Sequence, residues 1–269
     1  MHDSLVRLWS TDDLSHAEFC RAWHVSFAFP PHFHGTVCLG LIVRGALQLT
    51  LGRARETVGK GGFILINAGE VHAGHAATAE GYVMRTLHVA PADLARPLGE
   101  RGLKLGADLS LRSGVSHDPA LAQLFFGIHA CAETNDDRLK RDASLERLIS
   151  HLAGRAAPAL PGADARMARR FRDYIEARLF EPVRLAELAR IADMPAYAVV
   201  RTFKRRFGVP PHRYQTQRRI DAARRLIRDG VPLGELSHLC GFADQAHFTR
   251  AFKQTLGFTP GFYARRLSA

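Results

Sequence analysis

Short apolar runs punctuated by Gly, Pro and Asn fill residues 1–90. HVSFAF (24–29), TVCLGLIVRGALQLTL (36–51), FILI (63–66) and YVMRTLHV (82–89) are rich in β-branched and aromatic side chains, and each predicts strand. Near residue 118 the pattern changes. Asp118-Pro119 opens the helical run ALAQLFFGIHACAE, and DRLKRDASLERLISHLAG follows with Leu139, Leu145, Leu148, Ile149 and Leu152 at helical spacing. Residues 153–164, AGRAAPALPGAD, are rich in Ala, Pro and Gly and predict a linker. Beyond it no strand pattern remains. Residues 166–179 predict a helix with Phe171, Ile175 and Leu179 on one face, ended by Pro182.

The C-terminal stretch contains a duplication. Leu185, Glu187 and Leu188 match Leu233, Glu235 and Leu236 at an offset of 48. Arg201, Phe203, Lys204, Gly208, Pro211 and Tyr214 match Arg250, Phe252, Lys253, Gly257, Pro260 and Tyr263 at an offset of 49. Each copy predicts a short helix, a tight turn and a longer helix. Leu185, Leu188 and Ile191 form the expected core of the first helix, and Val199 or Val200, Phe203 and Phe207 that of the second. The outer side is polar and cationic. Tyr197, Arg201, Lys204 and Arg205 share one helix face at i, i+4, i+7 and i+8. Gln245, Ala246, Thr249, Arg250 and Lys253 hold similar places in the second copy, with Asp244 as the expected N-cap. Between the copies, residues 212–230 read as one amphipathic helix with Ala222, Ala223, Leu226 and Ile227 inward. Its length of roughly 27 Å at 1.5 Å per residue approaches the ~34 Å of one DNA turn.

Charge sharpens this picture. The formal net charge of +11 is unevenly held: residues 1–165 carry 16 Lys+Arg against 17 Asp+Glu, whereas residues 166–269 carry 21 against 9. So cationic a half points to an anionic polymer, nucleic acid foremost. A helix-turn-helix lays its second helix in the major groove, where Arg reads guanine edges and Gln adenine edges, while Lys and Arg near its end meet phosphates. A plain helical bundle with solvated Arg would explain the charge, but not the duplication. A content of 46% hydrophobic and 23% charged residues excludes a disordered chain, and runs such as LGLIV are too short to cross a bilayer. Cysteines at 20, 38, 131 and 240 show no close pairing, and MHDSLVRLWSTDD lacks an apolar signal region. The expectation is a reducing cytoplasm without disulfides.

Residues 166–267 resemble the DNA-binding domain of the AraC/XylS family of bacterial transcription regulators. The resemblance rests on Arg201-Thr-Phe203-Lys204 with Gly208, and on Arg218-Arg219-Ile-Asp-Ala222-Ala223-Arg-Arg-Leu226. Its most specific part is Gly241-Phe242-Ala-Asp244-Gln245-Ala-His247-Phe248-Thr-Arg250-Ala-Phe252-Lys253, followed by Gly257-Phe-Thr259-Pro260. It implies that Tyr197 and Arg201, then Ala246 and Arg250, face bases. Ala246 stands where a polar reader often sits, which shifts that role to Gln245 and Arg250. Pro195 replaces the usual Ser-type cap.

The N-terminal half holds 11 of the 14 histidines. His32, His34, Thr36 and Cys38 fall on one face at period two, and His72 and His75 follow a Gly turn. These segments resemble the two motifs of cupin barrels. His32, His34, Cys38 and Gly45 fit the first motif's spacing with Cys38 in place of Glu. Gly61, Asn67, Gly69 and His72 fit the second, with Ala76 at its usual terminal Asn. Such a barrel is the usual regulatory domain of the family, and its mouth a ligand pocket. Three readings stay open for His32, His34, Cys38 and His72: a tetrahedral site for Zn or another soft metal, the lining of a metal-free effector pocket, or scattered histidines without a joint role. A cupin-type metal-dependent enzyme is the rival class, against which stand the missing Glu and the fused DNA-binding half.

The expected architecture is a multidomain α+β protein. Residues 1–155 form a cupin-like β-barrel with helices for effector sensing and dimerisation, 156–165 a linker, and 166–269 an all-α domain with two helix-turn-helix units. The resemblance implies double-stranded promoter DNA, RNA polymerase, a small-molecule effector and a second copy of the chain as partners, with no membrane. No cofactor is required, a transition metal at the His/Cys set being the exception considered. The helices at 118–152 are the expected dimer interface, although Leu145, Leu148, Ile149 and Leu152 could equally cover the barrel.

Overall fold

A computed structural model describes residues 4–11, 17–100, 111–134, 137–155 and 163–267. The chain divides into two compact units. The first comprises Met1–Ala28, Gly35–Ala68 and Ala73–Ala159. The second comprises Leu160–Ala269 together with two short pieces of the N-terminal half, Phe29–His34 and Gly69–His72. Those two pieces carry His32, His34 and His72.

The first unit is sheet-rich. Strands β1 (Ser4–Trp9), β2 (Glu18–His24), β4 (Val37–Gly45), β7 (Phe63–Ile66), β9 (Tyr82–Val89) and β10 (Gly114–Ser116) form an antiparallel sheet in the order β1-β2-β9-β4-β7-β10. A second sheet runs β8 (His72–Ala76), β5 (Leu47–Leu51), β6 (Ala54–Val58). Alternation along β4 decides which core each side chain joins. Val37, Leu39 and Leu41 face a core shared with α1 (Pro91–Glu100), α2 (Pro119–Thr134) and α3 (Arg138–Ala153). Cys38 and Ile42 face the opposite way, toward Leu47, Leu49 and Val58 of the other sheet. Leu148 and Leu152 of α3 are buried in the first of these cores, with Leu145 and Ile149 packed against it. Of the two places left open for this apolar stripe, a dimer interface or the barrel, it takes the second and covers this unit's own sheet.

The expected strand 24–29 is instead a break. The β2 ladder with β9 runs out at the His24–Tyr82 pair, and β3 (Phe29–His32) starts only after a bend. The short strands β1, β6 and β8 and helix α1 were not legible as elements. Four of the five β6 residues are solvent-exposed, so it offers no apolar alternation.

In the second unit, α4 (Ala163–Ala177) is followed by α5 (Leu185–Ala192), α6 (Ala196–Phe207), α7 (Pro211–Arg228), α8 (Leu233–Leu239), α9 (Gln245–Leu256) and α10 (Pro260–Leu267). Both copies of the duplication end their long helix alike. Gly208 and Gly257 adopt left-handed φ values of 73° and 85°, and their N–H groups bond the carbonyls of Lys204 and Lys253. Leu188, Val199 and Phe203 are buried as expected, together with Phe171 and Ile175. Leu185 is not, at 36% exposed. It is the first residue of α5, before the chain has turned its apolar face inward. Positions 156–162 of the expected linker lie outside the described residues.

Candidate functional site

Helices α6 and α9 present the cationic faces that the sequence predicts. On α6, Tyr197 is 70% exposed, and Arg201, Lys204 and Arg205 are exposed along the same side. On α9, Gln245, Ala246, Arg250 and Lys253 are exposed and Thr249 is half-buried. The opposite sides hold Val199 and Phe203 in one copy and Phe248 and Phe252 in the other, all fully buried. The apolar stripe thus fixes which side of each helix meets solvent. Asp244 caps α9 by accepting from the His247 amide at 2.6 Å. At the start of α6 Pro195 stands as N-cap in extended conformation, without a side-chain bond.

A polar network on α7 joins the two copies. Arg219 donates to the carbonyls of Leu179 (2.7 Å) and Glu181 (2.8 Å) after α4, and to that of Gly241 in the turn before α9. Gln215, buried, reaches the carbonyls of Arg178, Leu179 and Glu181. Arg218 forms an ion pair with Glu176 at 2.7 Å, and the Tyr214 hydroxyl donates to the same carboxylate. Burial and the Glu176 charge push the Tyr214 phenol up, so it stays a donor. Helix-terminal carbonyls lack intrahelical partners, and α7 supplies them across the unit. It also fixes where α6 and α9 stand. The sequence showed Arg218-Arg219 only as a signature; their role was not legible.

The histidines gather in the same unit. The ring centroids of His32 and His72 lie 4.3 Å apart, those of His34 and His72 4.8 Å, and those of His32 and His34 6.1 Å. All three are buried. Nδ1 of His32 is 2.9 Å from the Pro30 carbonyl oxygen, and Nδ1 of His72 is 3.0 Å from that of Glu70. The Gly69 amide donates to the His34 carbonyl at 2.8 Å and ties the two pieces together. Burial pushes the His32 imidazole down to about 4; the Pro30 carbonyl opposes this, the Arg213 charge adds to it, and the His72 backbone weakly opposes. Burial, then the neighbouring His32 and His34 rings, hold His72 well below the usual range. Cys38 packs in the inter-sheet core of the first unit beside Ile42, Ile64 and Ile66.

Sequence reasoning missed a cleft of about 380 Å³ in the second unit. Pro30 and His32 line it on one side, His212, Arg213, Thr216 and Gln217 of α7 on another, and His247, Arg250 and Gln254 of α9 on a third. Arg250, expected to read bases, therefore also borders a cationic recess. Phe33 anchors this side: it is 2% exposed, stacks on Tyr214 at 5.0 Å, and its amide donates to Gln217.

Residues 15–149 match the AraC-like ligand binding domain, half of the chain, and residues 188–266 match a helix-turn-helix domain. The chain belongs to the AraC family of transcription regulators. Among its AraC-family relatives is a probable transcriptional regulator, LumQ of Photobacterium leiognathi, 35% identical over 92 residues. That match covers 34% of this chain and 37% of LumQ. The uncharacterized HTH-type transcriptional regulator YbfI of Bacillus subtilis (strain 168) is 23% identical over 259 residues, 90% of this chain and 89% of YbfI. The crystal structure of ToxT from Vibrio cholerae O395 shares the two-domain fold, with a TM-score of 0.59 at 12% identity over the whole of both chains. An unsaturated fatty acid-bound ToxT, strain SCE256, gives 0.58 at 13%, covering 98% of this chain and 96% of that one. The family's ligand-binding domain thus spans residues 15–149 and its helix-turn-helix domain residues 188–266; of the residues lining the cleft, Pro30 and His32 belong to the former and the rest lie on α7 and α9. No described helix is long and apolar enough to cross a membrane.

Proposed function

We propose that this AraC-family regulator reads promoter DNA in the cytoplasm with α6 and α9, and that a small anionic effector sets its affinity. Tyr197, Arg201, Gln245, Ala246, Thr249 and Arg250 face base edges, while Lys204, Arg205 and Lys253 meet phosphates. The observation that carries this is the pair of equivalent helices, each with its aromatic side buried and its cationic side exposed. The chain acts as a binding protein rather than an enzyme, and as a homodimer that engages RNA polymerase. With the α3 stripe used internally, pairing falls to the outer sides of α2 and α3, where Phe126 and Leu139 are exposed.

The effector reading rests on the cleft. His212, Arg213, His247 and Arg250 give it a lining suited to a carboxylate. ToxT structures are described with an unsaturated fatty acid and with (E)-4-(8-methylnaphthalen-1-yl)but-3-enoic acid, both carboxylic acids. Of the His/Cys set named from sequence, His32 lines the cleft and His34 and His72 stand beside it. A carboxylate at Arg250 would occupy a group that also reads DNA. Only such a difference in affinity between states lets an effector shift an equilibrium.

A mobility-shift titration on a footprinted promoter site tests both parts. Arg201→Ala and Arg250→Ala are each expected to cost roughly 1–3 kcal/mol of specific binding while sparing weak non-specific binding. Oleate is expected to shift the wild-type affinity and to lose that effect in Arg213→Ala. Unchanged specific affinity in Arg201→Ala would remove the groove assignment. An oleate effect that survives Arg213→Ala would move the effector elsewhere.

A further inference from the structure

Three strands of the six-stranded sheet place an arginine at the same height. Arg7 of β1 stands opposite Arg21 of β2, which stands opposite Arg85 of β9. Directly paired residues share a face of the sheet, and like charges so paired repel. One carboxylate answers all three. Glu133 of α2 accepts from Arg7 at 3.0 Å, from Arg21 at 3.3 Å and from Arg85 at 2.7 Å. Burial works against that charge, yet Arg85, Arg21 and Arg7 hold the Glu133 carboxyl below its ordinary range. The row therefore keeps an excess of positive charge. Arg85 is buried and also meets His129. Arg7 and Arg21 differ from it, with more than half of each side chain exposed. Of the five N–H donors a guanidinium carries, each gives one hydrogen bond among the described residues, to Glu133.

We propose that Arg7 and Arg21 bind the phosphate of a small aromatic phosphate monoester, the chemistry of a mononucleotide, with its ring laid on Trp23. Both arginines bond the same Glu133 oxygen, so their guanidiniums are held side by side. A phosphate dianion matches the excess charge of the row, and guanidiniums take phosphate oxygens in two-point contact. Trp23 follows Arg21 by two residues along β2 and so lies on the same face. It is 39% exposed, and its ring is tethered by the indole N–H, which donates to the Glu80 carbonyl at 3.2 Å. An exposed indole fixed in this way is a stacking platform. The Glu80 carboxylate is itself bonded by Thr78. Trp23 pairs with Val83, and Val83 with the exposed Arg44, so a fourth cation borders the platform on this face. The site lies in the first unit, apart from the cleft of the second, and its test is independent of the DNA and effector readings.

Calorimetric titration of the full-length protein with AMP, adenosine and inorganic phosphate provides the test. AMP is expected to bind at least ~5-fold tighter than inorganic phosphate, the difference that one stacked base makes. Adenosine, which lacks the charge, should bind at least ~10-fold more weakly than AMP. Arg7→Gln and Arg21→Gln should each weaken AMP binding by at least ~10-fold. Trp23→Leu should bring AMP down to the affinity of phosphate and leave phosphate itself within ~2-fold. Both tryptophans lie in the first unit, so quenching of their emission by AMP locates the ligand there. Circular dichroism establishes that each variant is folded; should one arginine variant fail, the other carries the comparison. No uptake of AMP, adenosine as tight as AMP, AMP no tighter than phosphate, or an affinity unchanged in both arginine variants would each overturn the assignment.

Discussion

Arginine and lysine on the two long helices divide their work by position. Arg201 and Arg250 sit mid-helix, which in the proposed reading sets the guanidinium against a base edge, whereas Lys204 and Lys253 lie in the last turn, where that reading puts the phosphates. Lys204→Ala or Lys253→Ala should weaken binding to every sequence alike and reduce the slope of log affinity against log salt by about one. A change confined to the specific site would refute the phosphate role. At the other end of the chain, His129 holds α2 to the first sheet as a neutral ring. Its Nδ1 accepts from Arg85 at 2.8 Å, and its Nε2–H faces the carbonyls of Cys20 and Thr86 at 3.1 and 3.2 Å. A second proton on Nδ1 would meet the guanidinium. Burial, then the Arg85 charge, lowers His129 from 6.5 to about 4, and burial does the same to His24. The unfolded chain therefore takes up protons that the native one refuses. Stability contributed by both rings is complete above pH ~6.5 and is lost by about pH 4. Melting followed by Trp9 and Trp23, both in the first unit, should fall across that window, and less steeply in His129→Asn. A flat melting temperature would contradict the neutral-ring assignment. The exposed cationic faces of α6 and α9 were legible in the sequence because helical period does not depend on what packs behind it.

At the scale of elements, the turn between α8 and α9 shows why one signature residue is glycine. Gly241 has φ 72°, and a Cβ there would run into the Phe180 carbonyl. The Gly241 carbonyl in turn accepts from Arg219, so the turn is pressed between α7 and the chain after α4. Gly241→Ala combines left-handed strain of roughly 1–2 kcal/mol with that clash, and should destabilise the second unit by about 2 kcal/mol or more. Chemical unfolding followed by far-ultraviolet dichroism measures it. A stable variant that still positioned α9 for DNA would show the turn to be tolerant. The long helices and central strands were legible because their apolar periods extend over several turns or residue pairs. The stripe on α3 was legible as apolar but not as to its partner, since a sheet below and a second subunit outside demand the same pattern. Helix α1 escaped notice because Pro97 and Gly99 interrupt its run. The polar staples of α7 escaped because a charged residue's partner is set by tertiary distance, not by spacing in sequence.

On the scale of the whole molecule, the sequence divides the chain at one linker, whereas the fold shares it less simply. Phe33 and Val71 come from the N-terminal half, yet they pack with Phe171, Phe203 and Tyr214 in the core around α6. Val71 meets Gly208, the cap of that helix. A fragment beginning at Leu160 would therefore leave Tyr214 without its stacked neighbour and Gln217 without the Phe33 amide. Such a fragment should bind DNA, since both helix-turn-helix units are intact. Its stability should fall below that of the same unit in the full chain by about 3–5 kcal/mol, the usual consequence of removing a buried Phe. Phe33→Ala in the full chain separates this effect from the loss of dimer avidity, which a truncated fragment would also suffer. The readouts are distinct because both tryptophans, Trp9 and Trp23, lie in the first unit, and Tyr174, Tyr197, Tyr214 and Tyr263 in the second. Phe33→Ala should lower the transition seen by tyrosine and helical dichroism and leave the tryptophan transition in place. If both transitions move together, the two units unfold as one. If neither moves, Phe33 is not part of the core that supports the recognition helices.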